Sequence, residues 1–498
     1  MTVTDTTAPR GEVATPDASG DGLAPSAHWG ALAVVLSAIF MSTLDFFIVN
    51  VAIPSTQADL DASASAIQWI VAGFSLAIGT TVITAGRLGD LFGKRRMFGM
   101  GLALFIVTSA LCGLAPSADA LVGARVAQGL AASLMTPQVL AIIGTVYTGK
   151  ALTRAFTAYG LTMGLAAVFG QLIGGVLIHS DVFGLGWRAC FLINVPVGAL
   201  ALALTRRLVP ATPGTGRQRL DLVGTLLIGL TLASLTVPLI QGQSQGWPLW
   251  TWLSLAACAV LASAFARYQF RLVRRGRIPL IDLRMFTDRA FATGMVVQVI
   301  SWMGQASFFL VFALYLQEGL HLTALTSGLV FTAIGGGYIA SSIGSAAVVG
   351  RLGRQTVTIG AFGMIVGLEM LSLAVQHIGT DGAVVWLLPG LIVDGAGMGL
   401  IIAPMASIVL ARVARQNAGA ASGVLSTAMQ IGGALGVAVI GIIFYGSLQH
   451  SGSSPSAVPH AFTASVDFLI AVAVAVMIGM QFIPKDGSPV TAGKGSDK

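Results

Sequence analysis

The stretch "GRLGDLFGKRR" (Gly86–Arg96) sets five charges within eleven residues, in a chain of which only 9% is charged. An apolar run lies on either side of it, 67–86 before and 97–116 after. A membrane-spanning helix needs about 20 mostly apolar residues. Both runs meet that length, so the charged stretch between them reads as a tight loop at a membrane face.

Composition carries the same reading to the whole chain. It has 498 residues, 55% of them hydrophobic, and a mean hydropathy of +0.85. A soluble surface normally carries about 25% charged residues, so this chain needs lipid as its solvent. The net charge of +7 does not gather on one soluble unit, which argues against nucleic acid as a partner. Cys112, Cys190 and Cys258 sit in apolar runs and read as small hydrophobes, with no framework for disulfides or metal.

The length criterion gives about fourteen spans. Six cover 29–52, 67–86, 97–116, 120–146, 154–178 and 189–206, two more cover 221–241 and 249–267, and a last six cover 290–316, 326–349, 356–376, 383–410, 418–446 and 463–483. The expected organisation is a disordered cytoplasmic tail over 1–27, a six-helix bundle over 28–206, an inserted two-helix hairpin with basic loops over 207–289, a second six-helix bundle over 290–484 and a cytoplasmic tail over 485–498. The basic residues fall into alternate loops: Lys94, Arg95 and Arg96; Lys150 and Arg154; Arg206, Arg207, Arg217 and Arg219; the run from Arg267 to Arg289; Arg351 and Arg354; Arg412 and Arg415. Only Arg188 lies in an opposite loop, and only Arg125 lies deep in a span. The excess of Lys and Arg in cytoplasmic loops then predicts both termini on the cytoplasmic side of a cell membrane.

The tetrapeptide "GRLG" recurs at Gly350–Gly353, again after the second span of a six-span set. Two such sets suggest a transporter built from repeats around a site at mid-membrane. Here the chain resembles the major facilitator superfamily, and within it the fourteen-span drug:proton antiporters. "GRLGDLFGKRRMFGMG" is similar to the superfamily's loop signature, "TLDFFIVNVAIP" (43–54) to the branch's first-helix motif and "RVAQGLAASLMTP" (125–137) to its fourth-helix motif. "GWRACFLINVPVG" (186–198), "PLIDLRMFTDRAF" (279–291) and "AGAASGVLSTAMQIGGALGVAVIG" resemble further stretches of that branch. The resemblance implies an all-α integral membrane protein, two six-helix bundles with two additional spans. The fifth-helix stretch "FGQLIGG" (169–175) keeps Gly170, Gly174 and Gly175 of the antiporter pattern, while Gln171 stands where the family has proline.

A charge at the centre of a span costs about 2.5–3.5 kcal/mol on insertion scales, so such residues are the candidates for chemistry. Asp45 lies about eight residues from the outer end of its span and Arg125 about six from the outer end of its own, so at about 1.5 Å per residue their depths differ by about 3 Å. They are expected either to couple protons, with Asp45 as acceptor, or to form a permanent ion pair. Asp394 lies on the span that the repeat makes equivalent to that of Arg125. It is expected to face a central cavity as a proton or cation site, or to serve as a structural hydrogen-bonding group. By the family resemblance Gly86, Asp90, Gly93, Arg95 and Arg96 form a conformational latch against the start of the span near Ala418–Gly423. Asn50, Gln128, Tyr159, Trp302, Phe308 and Met429 join Asp394 as candidates for the cavity lining, as do Trp69, Phe74, Met135 and Tyr338, with ordinary packing as the alternative for the aromatic and Met positions.

No phosphate loop, nucleophile elbow or metal-ligand cluster is legible, so neither catalysis nor a cofactor is expected. The expectation is proton-coupled export of an amphipathic small molecule by a monomer in the lipid bilayer. The alternatives are a dedicated exporter of one endogenous metabolite and a non-transporting membrane sensor.

Overall fold

The computed structural model describes residues 25–147, 149–214, 220–277, 279–379, 382–410, 418–451 and 456–483. The expected tails therefore lie almost wholly outside the described residues, as do Arg217, Arg219, Arg412 and Arg415, although the first helix already begins at Pro25. The helices of the first half are α1 (Pro25–Leu60), α2 (Ala64–Phe92), α3 (Lys94–Gly113), α4 (Ala118–Val146), α5 (Gly149–Ser180), α6 (Ala189–Leu192) and α7 (Asn194–Leu208). The hairpin is α8 (Leu222–Gln241) and α9 (Leu249–Arg274). The second half holds α10 (Arg289–Leu314), α11 (Ala324–Leu352), α12 (Gln355–Ile378), α13 (Leu388–Gly399), α14 (Ile402–Leu410), α15 (Ala418–Ser451) and α16 (Ala457–Gln481).

The sequence marks where helices start. Ser63, Ser117, Asp221, Asp288 and Thr323 each accept a backbone N–H of the first turn with a side-chain oxygen. Within the spans every backbone group must be satisfied internally, because lipid offers none of water's hydrogen bonds. Among the described residues, thirteen helices are long and apolar enough to cross a bilayer. The span expected at 383–410 is instead broken into α13 and α14. Pro404 has no N–H for the carbonyl of Leu400, and the chain tightens there, with Ile401 N–H donating to Met398 O at 3.0 Å. The span expected at 189–206 is also divided, at Ile193, three residues before Pro196.

The halves repeat one pattern. α1 packs on α5 and α7, α2 on α4, and α3 on α4 and α7. In the second half α10 packs on α15 and α16, α11 on α13, and α12 on α13 and α16. So α1, α2, α3, α4, α5 and α7 correspond to α10, α11, α12, α13, α15 and α16. The halves meet through the corresponding pairs α2–α15 and α5–α11. At the end opposite the basic loops this seam is tight: Gln317 Nε2 donates to Val51 O at 3.1 Å, and Gly175 and Gly328 bring α5 and α11 into backbone contact. Beyond Gly164 and Tyr338, Gly160 and Gly344 have nothing within 4 Å of the place a Cβ would take.

The hairpin is not simply peripheral. α9 exposes Leu253 and Val260, but α8 packs on α2 and α15 together and so touches both halves. Its anchor is polar. Asp221 accepts from Gly224 N–H and Gln269 Nε2, each at 2.8 Å, and from Leu280 N–H at 3.2 Å. Thr84 and Thr225 share a hydrogen bond, and Arg87 donates to the carbonyls of Pro279 and Leu280. Removing the acceptor leaves buried donors bare at about 1–3 kcal/mol each. Asp221→Ala is accordingly expected to lower the thermal unfolding midpoint of the purified protein clearly, and Asp221→Asn, which keeps one oxygen for the Gly224 cap but loses the one that Gln269 and Leu280 donate to, to lower it by less.

Candidate functional site

Successive α-helical residues are turned by about 100°, so residues two apart point to nearly opposite sides. On α1 this separates Asp45 from Thr43 and Phe47. Asp45 turns into its own half, where it and Arg125 of α4 are both fully buried and form an ion pair. Arg125 Nε donates to Ile70 O at 2.9 Å, and its Nη1 also donates to Gln128 Oε1 at 2.8 Å. Gln128 Nε2 and Asn194 Nδ2 donate to Asp45 Oδ1 at 2.9 and 3.0 Å, and both also reach Ser109 Oγ. The Arg125 guanidinium lies 4.3 Å from the centre of the Phe74 ring, a cation–π contact made stronger by the absence of water.

This network ties α1, α2, α3, α4 and α7 together through side chains that an apolar interior would otherwise penalise. The expected pairing of Asp45 with Arg125 is present. Its expected place beside a central cavity is corrected, because the pair points toward α3 and α7. Gln128, expected in a cavity lining, is the amide that bridges the pair.

Thr43 and Phe47 face the gap between the halves. Across it α10 supplies Trp302, Gln305 and Phe309, spaced three and four apart on one face, while Met163 of α5 and Tyr338 of α11 close the flank. Among the described residues no charged side chain lines this gap. Of the expected lining residues Trp302 and Tyr338 are there. Tyr159 and Met429 line neither this gap nor the second cavity, and Asn50 is buried with its Nδ2 donating to Phe47 O at 3.1 Å. Thr43, Phe47, Gln305 and Phe309 are the residues that sequence reasoning missed. The i, i+4 spacing of Thr43 and Phe47 within the first-helix motif was the available signal.

Asp394 does not face the gap either. With Ser301, Gly304 and Phe308 of α10, Leu368 of α12 and Val472 of α16, it lines a chamber inside the second half. The side chain is fully buried, and neither carboxyl oxygen has a hydrogen-bond partner among the described residues.

The charged stretch, expected as a tight loop, is instead the end of α2 and the start of α3 with Gly93 alone between them, and it is built as a joint. Gly93 has φ of +99°, a conformation other residues avoid, and it donates its N–H to Gly89 O at 2.9 Å. Arg95 donates to Val209 O, and its N–H to Thr212 Oγ1, each at 3.1 Å. These bonds fasten Arg95 to the end of its own half rather than to α15. Asp90 and Arg96 remain latch candidates. Near the expected partner segment, Gly423 lies against Ile83 of α2, while the side chains of 418–420 lie outside the described residues. Gly170 and Gly174 admit α1 closely, and Gly175 admits α11. Gln171 is fully buried between them, and its amide has no partner among the described residues.

Breaking a buried ion pair from one side costs about 3–5 kcal/mol, because the remaining charge is left bare. Arg125→Ala is expected to destabilise the protein on that scale. Asp45→Asn combined with Arg125→Gln is expected to cost much less than the sum of the single changes, which thermal unfolding of the four proteins reads as a double-mutant cycle.

The model for the Major Facilitator Superfamily matches residues 35–437 and 294–490. The chain is 37% identical to the probable actinorhodin transporter of Streptomyces coelicolor, over 87% of this chain and 75% of the relative. It is 34% identical to the puromycin resistance protein of Streptomyces alboniger, over 89% of each chain. It is 33% identical to the tetracenomycin C resistance and export protein of Streptomyces glaucescens, over 83% of this chain and 76% of the relative. A POT family transporter crystallised with a thioalcohol-conjugated peptide superposes with a TM-score of 0.66 at 16% identity, covering 91% of this chain and 96% of that one. That likeness bears on the fold. With two corresponding halves, a gap between them and relatives of this kind, the chain belongs to the major facilitator superfamily.

Proposed function

We propose that this protein exports planar, aromatic, uncharged or weakly charged amphipathic compounds in exchange for protons, by alternating access of the gap between its halves. The lining of that gap carries the reading. Trp302, Phe309, Phe47 and Tyr338 offer aromatic faces, and Thr43 and Gln305 offer neutral hydrogen-bonding groups, the mix that positions a small apolar ligand. A site without a fixed charge leaves a permanent cation unpaired, which favours neutral compounds. The names of the relatives, a probable actinorhodin transporter and a tetracenomycin C resistance and export protein, support export of a small molecule.

The basic end, by the excess of Lys and Arg there, is the cytoplasmic one, and cargo enters the gap from that side. Proton coupling belongs to the buried acids of the two halves, Asp45 held by Arg125, and Asp394. Asp90 and Arg96 at the charged loop, with Arg95 as its anchor, form the latch that the exchange of states makes and breaks. A single chain holds both halves and hence the whole path.

Inverted membrane vesicles test this directly. A panel of anthraquinone, ethidium and puromycin is offered with and without an imposed proton gradient. The expected result is gradient-dependent accumulation, strongest for the neutral anthraquinone. Asp45→Asn is expected to abolish it. An aromatic contact is worth about 0.5–1.5 kcal/mol beyond its area, so Trp302→Ala is expected to raise the half-saturating concentration roughly tenfold. Accumulation of ethidium alone would overturn the assignment of cargo class, and accumulation indifferent to the gradient would overturn exchange.

A further inference from the structure

α10 is a partition. Its Trp302, Gln305 and Phe309 line the gap between the halves, and its Ser301, Gly304 and Phe308 line the chamber that holds Asp394. The chamber is closed by α12, α13 and α16, which correspond to α3, α4 and α7. In the first half the space among the corresponding helices is filled by Arg125, Asp45, Ser109 and Asn194. One half thus fills its interior with an acid and its cation, while the other leaves an acid beside a void.

A bare carboxylate in such surroundings costs several kcal/mol, so the group takes a partner. Hard metal cations such as Ca²⁺ require about 6–8 oxygen ligands, and this chamber offers one carboxyl and the Ser301 hydroxyl among otherwise apolar side chains. Cargo in the gap is screened from Asp394 by the body of α10. A proton needs only the carboxyl itself. The other charged and titratable side chains on the surrounding helices point elsewhere: Arg289 of α10, Arg351 of α11, Glu369 and His377 of α12, and His460 and Asp467 of α16 are exposed, and Tyr338 of α11 lines the gap.

We propose that Asp394 is a proton-binding site enclosed within the second half and separate from the cargo gap, and that Ser301 and Gln305 relay its state across α10. This rests on the exchange reading above and deepens it. Gln305 Nε2, on the gap side, donates to Ser301 Oγ, on the chamber side, at 3.4 Å. Ser301 can keep that acceptor role while its own hydroxyl hydrogen turns toward an ionised Asp394. Loss of the proton would then draw Ser301 toward the acid and shift the Gln305 amide that cargo meets. Coupling of this kind does not require the cargo to carry charge.

The test reads the proton and the transport separately. Infrared difference spectra of the purified protein in lipid nanodiscs, taken across a pH series, are expected to show the carbonyl stretch of a protonated carboxylic acid. That band should be absent in Asp394→Asn, displaced in Asp394→Glu and unchanged in Asp45→Asn. In vesicles loaded by a proton gradient, Asp394→Asn is expected to reduce accumulation of the anthraquinone to the level of empty membranes while leaving its downhill equilibration. Ser301→Ala is expected to keep the infrared band and weaken gradient-driven accumulation. A band that survives Asp394→Asn, or that is missing from the native protein, overturns the site. Full gradient-driven accumulation by Asp394→Asn overturns its role and leaves the exchange reading standing. No accumulation by the native protein, with the band present and lost in Asp394→Asn, overturns the exchange reading and upholds the site.

Discussion

Everything in this structure depends on the two-sidedness of helices that stand between a polar interior and an apolar gap. α1 and α10 hold corresponding places in the two halves, and each must serve both sides at once. A turn of about 100° per residue lets them do so with residues only one or two apart: Asp45 against Phe47 on α1, Ser301 against Trp302 on α10. Charges are thereby kept inside bundles, where partners can be built, and the described lining of the gap carries none.

The interior of the first half is fastened by polar bonds where the second relies on packing. Arg125 has an acid, an amide, a backbone carbonyl and an aromatic ring about it. The corresponding region of the second half has Asp394 among Leu368, Phe308 and Val472. Two bundles with the same helix order thus carry different interiors. Membrane helices gain no hydrophobic drive from associating in lipid, and interhelical hydrogen bonds and close packing carry that load. The first half has both, and the second has the packing, with a small chamber beside α10.

Much of this was legible in the sequence, and the rest was not for identifiable reasons. Span count followed from length and hydropathy, since about 20 apolar residues are needed to cross lipid. Depth was equally legible, and it brought Asp45 and Arg125 together before any coordinates. Azimuth was not: counting residues from a helix end says how far down a side chain lies and nothing of which way it faces. That is why Gln128, Phe308 and Asp394 were expected at a central cavity they do not line. The break within 383–410 was masked by uniform hydropathy, though "DGAGMGLIIAP" carried its cause in Pro404. The anchor of the hairpin had no local signature, because Thr84, Arg87, Asp221, Gln269 and Leu280 come from segments nearly two hundred residues apart.

The anchor gives the inserted hairpin a mechanical meaning. α8 rests on α2 of one half and α15 of the other, while Arg87, one residue into the charged loop, is bonded to the chain that leads into α10. Any rocking of the halves that changes the angle between α2 and α15 must therefore act on α8 and on the entry to α10. The same loop is fastened by Arg95 to the end of α7. Gly86–Arg96 thus joins three bodies, the first half, the hairpin and the start of the second half. Its crowd of charge in an otherwise apolar chain is what a joint at a membrane face requires: basic groups that stay in water, and backbone carbonyls close enough to hold them.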